Sequence, residues 1–291
     1  MMDVRTSNAL VHFFARRYSE VSGQLMVWIV LAGLVLNHPA IALETRSISG
    51  PHVEVSLHSG SNQLVAGQPL ELAVKLVADD GWHTYWKNPG DTGKATKIDW
   101  ALPAGFLAGD IEWPVPERID YLGMINYGYH GEVGLLTTIS VPNYFTEQQI
   151  SHGSIPIEAS VEWLVCKDLC IPGKAKLTLT VPIASHTDPA GQSSQWIDSV
   201  RKNIPAFEFD VAAQYRISDT LQVLVEIDRL PVFEQRPLVF VGEKDTVKHT
   251  ALPIVQTLDK YLLISFEQDP YLETPSAFLP IVLASVNKDG M

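Results

Sequence analysis

The chain has 291 residues, of which 46% are hydrophobic and two are cysteines, and its formal net charge is −12. This acidic balance argues against nucleic acid or an anionic membrane surface as the partner, because both attract positively charged protein surfaces. A chain of this length is expected to fold into two domains of ordinary size.

The first forty-two residues have the pattern of a secretory signal peptide. Arg5, Arg16 and Arg17 precede an uncharged apolar run at residues 25–36, and Ala40 and Ala42 form an A-x-A cleavage pattern. The apolar run is short for a bilayer span; an uncleaved membrane anchor is the alternative. We therefore expect residues 1–42 to direct export to the periplasm and the mature protein to begin near Leu43.

From residue 51 onward the sequence mostly alternates apolar and polar residues, which is typical of strands with one buried face, and we expect these strands to form one domain at about residues 46–185. Gly, Pro, Asn and Asp separate the alternating segments, and no helical pattern intervenes. Short strands at irregular spacing favour an antiparallel β-sandwich. The segments are HVEVSLHSG, LELAVKLVAD, GLLTTISVP, PIEASVEWLV and KLTLTVP.

A polar, turn-rich stretch at residues 184–194 interrupts this pattern. Ser194 can cap a short helix in which Trp196, Ile197 and Val200 share one face, and Pro205 ends it. We predict a helical linker at 186–205. Strand patterns then resume in LQVLVEIDRL, RPLVFVGE, KYLLISFEQ and AFLPIVLASV, which predicts a second, smaller β domain at 206–291.

The two cysteines, Cys166 and Cys170, lie where one predicted strand ends, and Pro172-Gly173 are expected to complete the chain reversal. Fully extended, their Cα atoms would be about 13 Å apart. A disulfide requires less than about 7 Å, so the chain must fold back here for them to bond.

Three interpretations of the pair remain open on spacing alone. A structural disulfide with so small a ring adds only about 2 kcal/mol of stability, and a sandwich of this size hardly needs it. A redox pair is the second interpretation. A Cu(I) site is the third, because soft thiolates bind this ion, but the nearest candidates for a further ligand, His83 and His130, are distant in sequence.

Five segments in consistent order resemble the periplasmic N-terminal region of the DsbD-type protein-disulfide reductases, and most closely the ScsB-like branch, which is linked to copper tolerance. The likeness runs from about residue 50 to residue 185 and is weaker toward the C-terminus. The segments are GWHTYWKNPGDTG (81–93), IDWALPAGF (98–106), IEWPVPERI (111–119), YGYHGEVGLL (127–136) and VEWLVCKDLCIPGKAKL (161–177).

The resemblance implies an immunoglobulin-like fold over residues 46–185 that carries a reversible disulfide. In this family a membrane-embedded domain supplies electrons, and the periplasmic domain passes them as a dithiol to oxidised client proteins by thiol–disulfide exchange. We therefore expect a protein-disulfide reductase component with a membrane-embedded DsbD-like electron donor and periplasmic disulfide-containing clients. No cofactor or resident metal is expected.

The resemblance also assigns roles to individual residues. Cys170, followed by Ile171-Pro172, matches the family's exchanging cysteine, and Cys166 is its resolving partner, although three residues separate the two here where the DsbD pattern has five. The family covers its cysteines with a cap loop, which corresponds to the segment that contains Tyr127, Tyr129 and His130. His83 and Tyr85 correspond to polar aromatic neighbours of the pair, able to adjust a thiolate pKa.

Two rival functions stay open beside the redox relay. The same thiolates could belong to a copper-binding or copper-tolerance module, or the disulfide could be part of an inert interaction domain. Full-length relatives also carry a polytopic membrane region and a thioredoxin-like C-x-x-C domain, which this sequence lacks. We expect either a stand-alone relay that receives electrons from a separate membrane protein or a shortened relative.

Overall fold

The computed structural model describes residues 43–184, 194–205, 213–226, 233, 235–272 and 278–285. The predicted signal peptide and the first part of the predicted linker lie outside these residues. Among the residues described, no helix is long and apolar enough to span a bilayer.

Ten strands between Ile48 and Ser140, and two long ones after them, form a sandwich of two mainly antiparallel sheets. The strands are β1 (Ile48–Gly50), β2 (Val53–Ser59), β3 (Leu64–Val65), β4 (Leu70–Ala78), β5 (His83–Gly90), β6 (Lys97–Ala101), β7 (Leu107–Glu112), β8 (Glu117–Tyr121), β9 (Met124–His130), β10 (Glu132–Ser140), β11 (Ser154–Cys166) and β12 (Cys170–Ala184).

The strand order in the first sheet is β1-β2-β4-β10-β7. In the second sheet it is β3-β12-β11-β5-β9-β8, and β6 also pairs with β11. Alternate residues of β2, β4, β11 and β12 point into one core between the sheets. This confirms the all-β sandwich expected from the period-two pattern.

Two short helices accompany the sandwich. The first, α1 (Glu147–His152), was not predicted, although Thr146 and Gln149 form a complete capping box at its start. The second, α2 (Gln195–Lys202), has the predicted N-cap, Ser194. Its buried face, Ile197 and Val200, packs on Ala73 and Leu136 of the first sheet.

The C-terminal part contains a four-stranded antiparallel sheet and a two-stranded one. Their strands are β13 (Ala213–Ile217), β14 (Leu221–Glu226), β15 (Leu238–Val241), β16 (Ile254–Leu258), β17 (Tyr261–Phe266) and β18 (Ile281–Ala284). These strands build a core of their own around residues such as Leu221, Ile264 and Val241. Whether 206–291 is a separate domain stays a prediction.

The C-terminal strands contact the sandwich through β15. Phe240 belongs to the sandwich core, where its ring packs edge-on against Trp86 and Tyr127. Asn88 Nδ2 donates to the backbone oxygens of Val241 and Glu243 at 2.8 and 3.0 Å. Asn88 is fully buried, so this side chain joins β5 to the C-terminal strands with its polar groups satisfied.

Candidate functional site

The two cysteines lie at the end of the longest hairpin in the described part of the sandwich. Strands β11 and β12 pair without interruption from Ser154 opposite Pro182 to Cys166 opposite Cys170. The three residues between the cysteines, Lys167–Leu169, form the reversal, which we call the cysteine turn. A disulfide joins the cysteines, with Cα atoms 4.2 Å apart.

The prediction that Pro172 and Gly173 complete the reversal is wrong, because both lie within β12. Gly173 has a packing role instead. It pairs directly with Trp163, and a Cβ atom on Gly173 would lie 2.2 Å from Trp163 Cε2. The missing side chain therefore allows the buried indole to lie across β12.

The two sulfur-bearing residues differ in accessibility. Cys166 is completely buried, whereas Cys170 is exposed. Since Val165 points into the sandwich core, the strand alternation directs Cys166 to the outer face of the second sheet. An attacking thiol from outside therefore meets the Cys170 side of the disulfide first.

The strand register aligns four side chains across the outer face of the second sheet. Cys166 is opposite Cys170 on one side and opposite His83 on the other, and His83 is in turn opposite His130. Directly opposite residues in antiparallel strands have side chains on the same face. We call Cys170, Cys166, His83 and His130 the side-chain row.

His83 is the buried member at the centre of this row. It is 3% exposed, and its Nε2 has no hydrogen-bond partner among the residues that the structure describes. Burial, with a smaller effect of His130, lowers the pKa of His83 to about 4, against the opposing effect of Glu117. The imidazole is therefore neutral at physiological pH in the disulfide-bonded protein.

His130 lies at the solvent end of the row. Its ring centroid is 5.6 Å from that of His83, and its Nδ1 donates to Glu117 Oε2 at 2.7 Å. The side chain of His130 is 44% exposed. His130 and Glu117 thus form the solvent-exposed end of the row beside the buried His83.

Tyr85 lies two residues from His83, on the same face, and contacts the other sulfur. Its Oη is 3.8 Å from Cys170 Sγ. Burial raises the pKa of Tyr85 to about 12, with a further increase from Tyr121 and a decrease from a hydrogen bond with Thr92. The phenol therefore keeps its proton and is able to donate it in a hydrogen bond to a Cys170 thiolate.

The other two predicted cap residues lie elsewhere. Tyr127 packs against Trp86, Phe240 and His249, and Tyr129 Oη donates to the backbone oxygen of Pro114. Both tyrosines belong to the sandwich core. The structure thus brings His83, Tyr85 and His130 together with the cysteines, and places Tyr127 and Tyr129 on the opposite face of β9.

The aromatic residue that reaches the cysteine turn is Tyr121, which was not among the predicted site residues. Its Oη donates to the backbone oxygen of Asp168 at 2.9 Å, and its ring centroid is 6.4 Å from that of His83. Tyr121 ends β8 beside the tight turn at Leu122-Gly123, where both residues have positive φ. An aromatic residue immediately before a glycine-containing hairpin turn was the available sequence signal.

On the opposite side, Lys167 Nζ donates to the backbone oxygen of Asp80 at 3.4 Å. The cysteine turn is therefore contacted by both Tyr121 and Asp80.

Among the described residues, no group of three or more His, Cys, Asp or Glu side chains is placed to hold a metal ion.

Comparisons with known proteins converge on this region. Residues 57–182 match the family model described as thiol:disulfide interchange protein DsbD, N-terminal. The N-terminal periplasmic domain of ScsB from Proteus mirabilis has the same fold, with a TM-score of 0.57 over 84% of this chain and 94% of that one, at 15% sequence identity. No curated protein matches the chain. The matched residues include both cysteines and the whole side-chain row.

Proposed function

Since residues 57–182 match the model of the DsbD N-terminal family and the chain shares the fold of the ScsB periplasmic domain, we propose that this protein carries out thiol–disulfide interchange through the Cys166–Cys170 disulfide. The observation that carries the proposal is the pairing of an exposed cysteine, Cys170, with a completely buried one, Cys166. Exchange with a protein partner requires a sulfur that the attacking thiolate can reach, and the burial of the second sulfur directs the attack to the first.

A dithiol donor reduces the Cys166–Cys170 disulfide in two steps. A thiolate of the donor attacks Cys170 Sγ, the bond to Cys166 breaks, and the electron pair leaves on Cys166 as a thiolate. A second thiolate of the donor then attacks its own sulfur in the mixed disulfide and releases Cys170. The donor ends as a disulfide, and this protein holds two more electrons as a dithiol.

Transfer to a client reverses this order. The Cys170 thiolate attacks a client disulfide and releases one client thiolate. The buried Cys166 then attacks Cys170 Sγ, which re-forms the internal disulfide and releases the second client thiolate. Tyr85 supports the first of these steps, because a protonated phenol next to Cys170 Sγ stabilises the thiolate that attacks.

The experiment uses two matched single-cysteine variants, each treated with oxidised glutathione. In Cys166→Ala the exposed Cys170 should form a mixed disulfide that accumulates, because no resolving thiol remains. In Cys170→Ala the buried Cys166 should react far more slowly while the protein is folded. Mass spectrometry of the intact protein measures both adducts.

Equal adduct formation in the two variants would contradict the assigned roles. A wild-type disulfide that stays oxidised in excess dithiothreitol, while the protein is folded, would exclude interchange altogether and favour an inert structural disulfide.

The location and partners follow from the same proposal. A signal peptide at 1–42 would place the domain in the periplasm, its donor would be a membrane-embedded DsbD-like protein, and its clients would be periplasmic proteins with disulfides. Copper binding by the reduced thiolates is the alternative function. It predicts one Cu(I) bound per reduced chain and no binding after substitution of both cysteines by serine.

A further inference from the structure

The side-chain row gives the buried cysteine a neighbour that the exposed one does not have. Cys166 is opposite His83 in the strand register, and both residues are buried. Tyr85, in contrast, is the residue in contact with Cys170. The two sulfurs therefore have different neighbours on strand β5: His83 lies opposite Cys166, and Tyr85 contacts Cys170.

Resolution of a mixed disulfide requires the buried Cys166 to react as a thiolate. Burial in apolar surroundings opposes this, because it favours the neutral thiol. The step needs a group that takes the proton from the thiol inside the protein, since water has no access to a completely buried residue.

His83 has the properties of such a group. Its imidazole is neutral in the oxidised protein, and the negative charge that forms on Cys166 would oppose the effect of burial on the His83 pKa. The buried Nε2 lacks a hydrogen-bond partner among the described residues. A buried nitrogen without a partner is costly. Reduction of the disulfide gives Cys166, the residue directly opposite in the strand register, the chemistry of this missing partner, because a thiol donates to a bare nitrogen and a thiolate accepts from a protonated one.

The surroundings of His83 provide a route to solvent for the proton. The titratable groups that face it are Tyr85 on its own strand, Glu117 and Tyr121 from β8, His130 from β9 and the cysteine from β11. Among these groups of the described chain, His130, bound to Glu117, combines a position beside His83 with substantial exposure to solvent.

We propose that His83 is the base that accepts the Cys166 proton when Cys166 resolves a mixed disulfide on Cys170, and that His130 and Glu117 pass this proton to solvent. In this step the S–H bond of Cys166 breaks and the proton moves to His83. The Cys166 thiolate attacks Cys170 Sγ, and the partner leaves as a thiolate. The proton then leaves His83 through His130, which returns His83 to its neutral state.

The proposal rests on the proposed interchange function, and one experiment separates the two. Reduced wild-type protein is mixed with Ellman's reagent. The first release of thionitrobenzoate reports attack by Cys170, and the second reports attack of Cys166 on the mixed disulfide. The rates of both phases are measured from acid to alkaline pH.

In His83→Gln we expect an unchanged first phase and a second phase slower by about a hundredfold at neutral pH, the lower end of what a positioned base contributes. The second phase should recover at alkaline pH, where hydroxide removes the proton during brief local openings that expose the thiol. The matched control is His58→Gln, which removes another buried histidine, one that bonds to Ser56 and Glu44 in the first sheet. It should leave both phases unchanged.

A second measurement does not depend on the kinetics. In Cys170→Ala the thiolate absorbance of the single Cys166 is titrated, with and without His83→Gln, after folding is verified by circular dichroism. The transition should move to higher pH without His83. An unchanged second phase and an unchanged titration would overturn the role of His83 while leaving interchange intact. Absence of both thionitrobenzoate phases in the wild type would overturn interchange itself.

Discussion

Gly93 allows Tyr85 to lie where it contacts Cys170. A Cβ atom on Gly93 would be 2.2 Å from Tyr85 Cε1, and the residue has a φ of +97°. Gly123, at the turn between β8 and β9, has a similar φ of +82° but nothing within 4 Å of its ideal Cβ position. The two glycines therefore separate the effect of backbone conformation from the effect of contact with Tyr85.

We predict that Gly93→Ala destabilises the protein by about 1–3 kcal/mol more than Gly123→Ala, because only the first forces a buried ring to move. Both variants carry the backbone cost of a positive φ. Urea unfolding measures the difference. Gly93→Ala should also slow the reaction of Cys170 with Ellman's reagent, and equal effects of the two substitutions would show that Tyr85 adapts without cost.

The buried His83 makes the stability of the protein depend on pH. Its pKa is about 4 in the folded protein and 6.5 in an unfolded chain, so the unfolded chain binds more protons between these values. The contribution is complete above about pH 6.5 and is lost as the pH falls toward 4. It amounts to roughly 3 kcal/mol at about 1.4 kcal/mol per pKa unit.

We predict that His83→Gln reduces the slope of unfolding free energy against pH between about pH 6.5 and 4. The slope should not vanish, since burial also lowers the pKa of His58 and His249. His152→Gln, on the exposed surface, is the control and should keep the wild-type slope. Denaturant unfolding at several pH values gives the comparison; coincident curves for the two variants would contradict the burial argument.

Some residues of the site could be predicted from the sequence, and others could not. The pair Cys166 and Cys170, and the neighbours His83 and Tyr85, follow from motif positions that resemble a known family. Composition alone could not assign Tyr127 and Tyr129 to the core or to a cap, because tyrosine combines a large apolar ring with a polar hydroxyl and is suited to both. The alternation did contain a clue, since Tyr129 and His130 are adjacent in a strand and cannot share a face.

At the level of elements, the cysteine turn depends on a contact with a different hairpin. Tyr121 at the end of β8 donates to Asp168 within the turn. Removing one such hydrogen bond costs about 1 kcal/mol net. The turn should then open more often without unfolding of the strands on either side.

We predict that Tyr121→Phe increases amide hydrogen exchange at Leu169 and Cys170 by about fivefold, the factor equivalent to 1 kcal/mol. Tyr144→Phe is the control, because Tyr144 is 78% exposed and distant in sequence from the site. The Tyr144→Phe variant should leave exchange at the cysteine turn unchanged, and Tyr121→Phe should leave exchange in the centre of β11 unchanged. A Tyr121→Phe variant with wild-type exchange at the turn would mean that Lys167 alone holds it.

Strands in which apolar and polar residues alternate regularly were predicted correctly, whereas strand β5, which contains a Pro-Gly pair, was not. Strands β2, β4, β10, β11, β12 and β14 and helix α2 follow the predicted segments. The end of strand β5 has the composition of a turn at Asn88-Pro89-Gly90-Asp91. The strand continues to Gly90 with an irregularity in its pairing to β9, and Gly90 adopts the positive φ that its neighbours could not. A Pro-Gly pair marks a bulge as readily as a turn.

At the scale of the whole molecule, Phe240 connects the C-terminal strands to the sandwich core. It is 3% exposed and packs against Trp86 and Tyr127, although β15 pairs only with β18 among the described strands. The described residues, from Leu43 onward, all belong to one compact unit. The stability of the two parts is therefore expected to be linked.

We predict that Phe240→Ala lowers the unfolding free energy by about 3–5 kcal/mol, the usual cost of removing a buried phenylalanine, and that hydrogen exchange speeds up in both β11 and β17. Val223→Ala, in the C-terminal core alone, should affect β17 more than β11. Two separate unfolding transitions in the wild type would instead support independent domains with a boundary near residue 206.

Two different strands pair with the same edge of β11. The cysteine end of the β11–β12 hairpin can therefore open without separation of the rest of the strand. Strand β11 pairs with β6 from Glu158 to Glu162 and with β5 only at Cys166. Separation of Cys166 from His83 thus breaks the backbone bonds of one residue pair, whereas separation of Val161 from its neighbours disrupts the sandwich. Local opening at the cysteines is therefore an event of low free energy, distinct from unfolding, in a domain whose remaining strands stay paired.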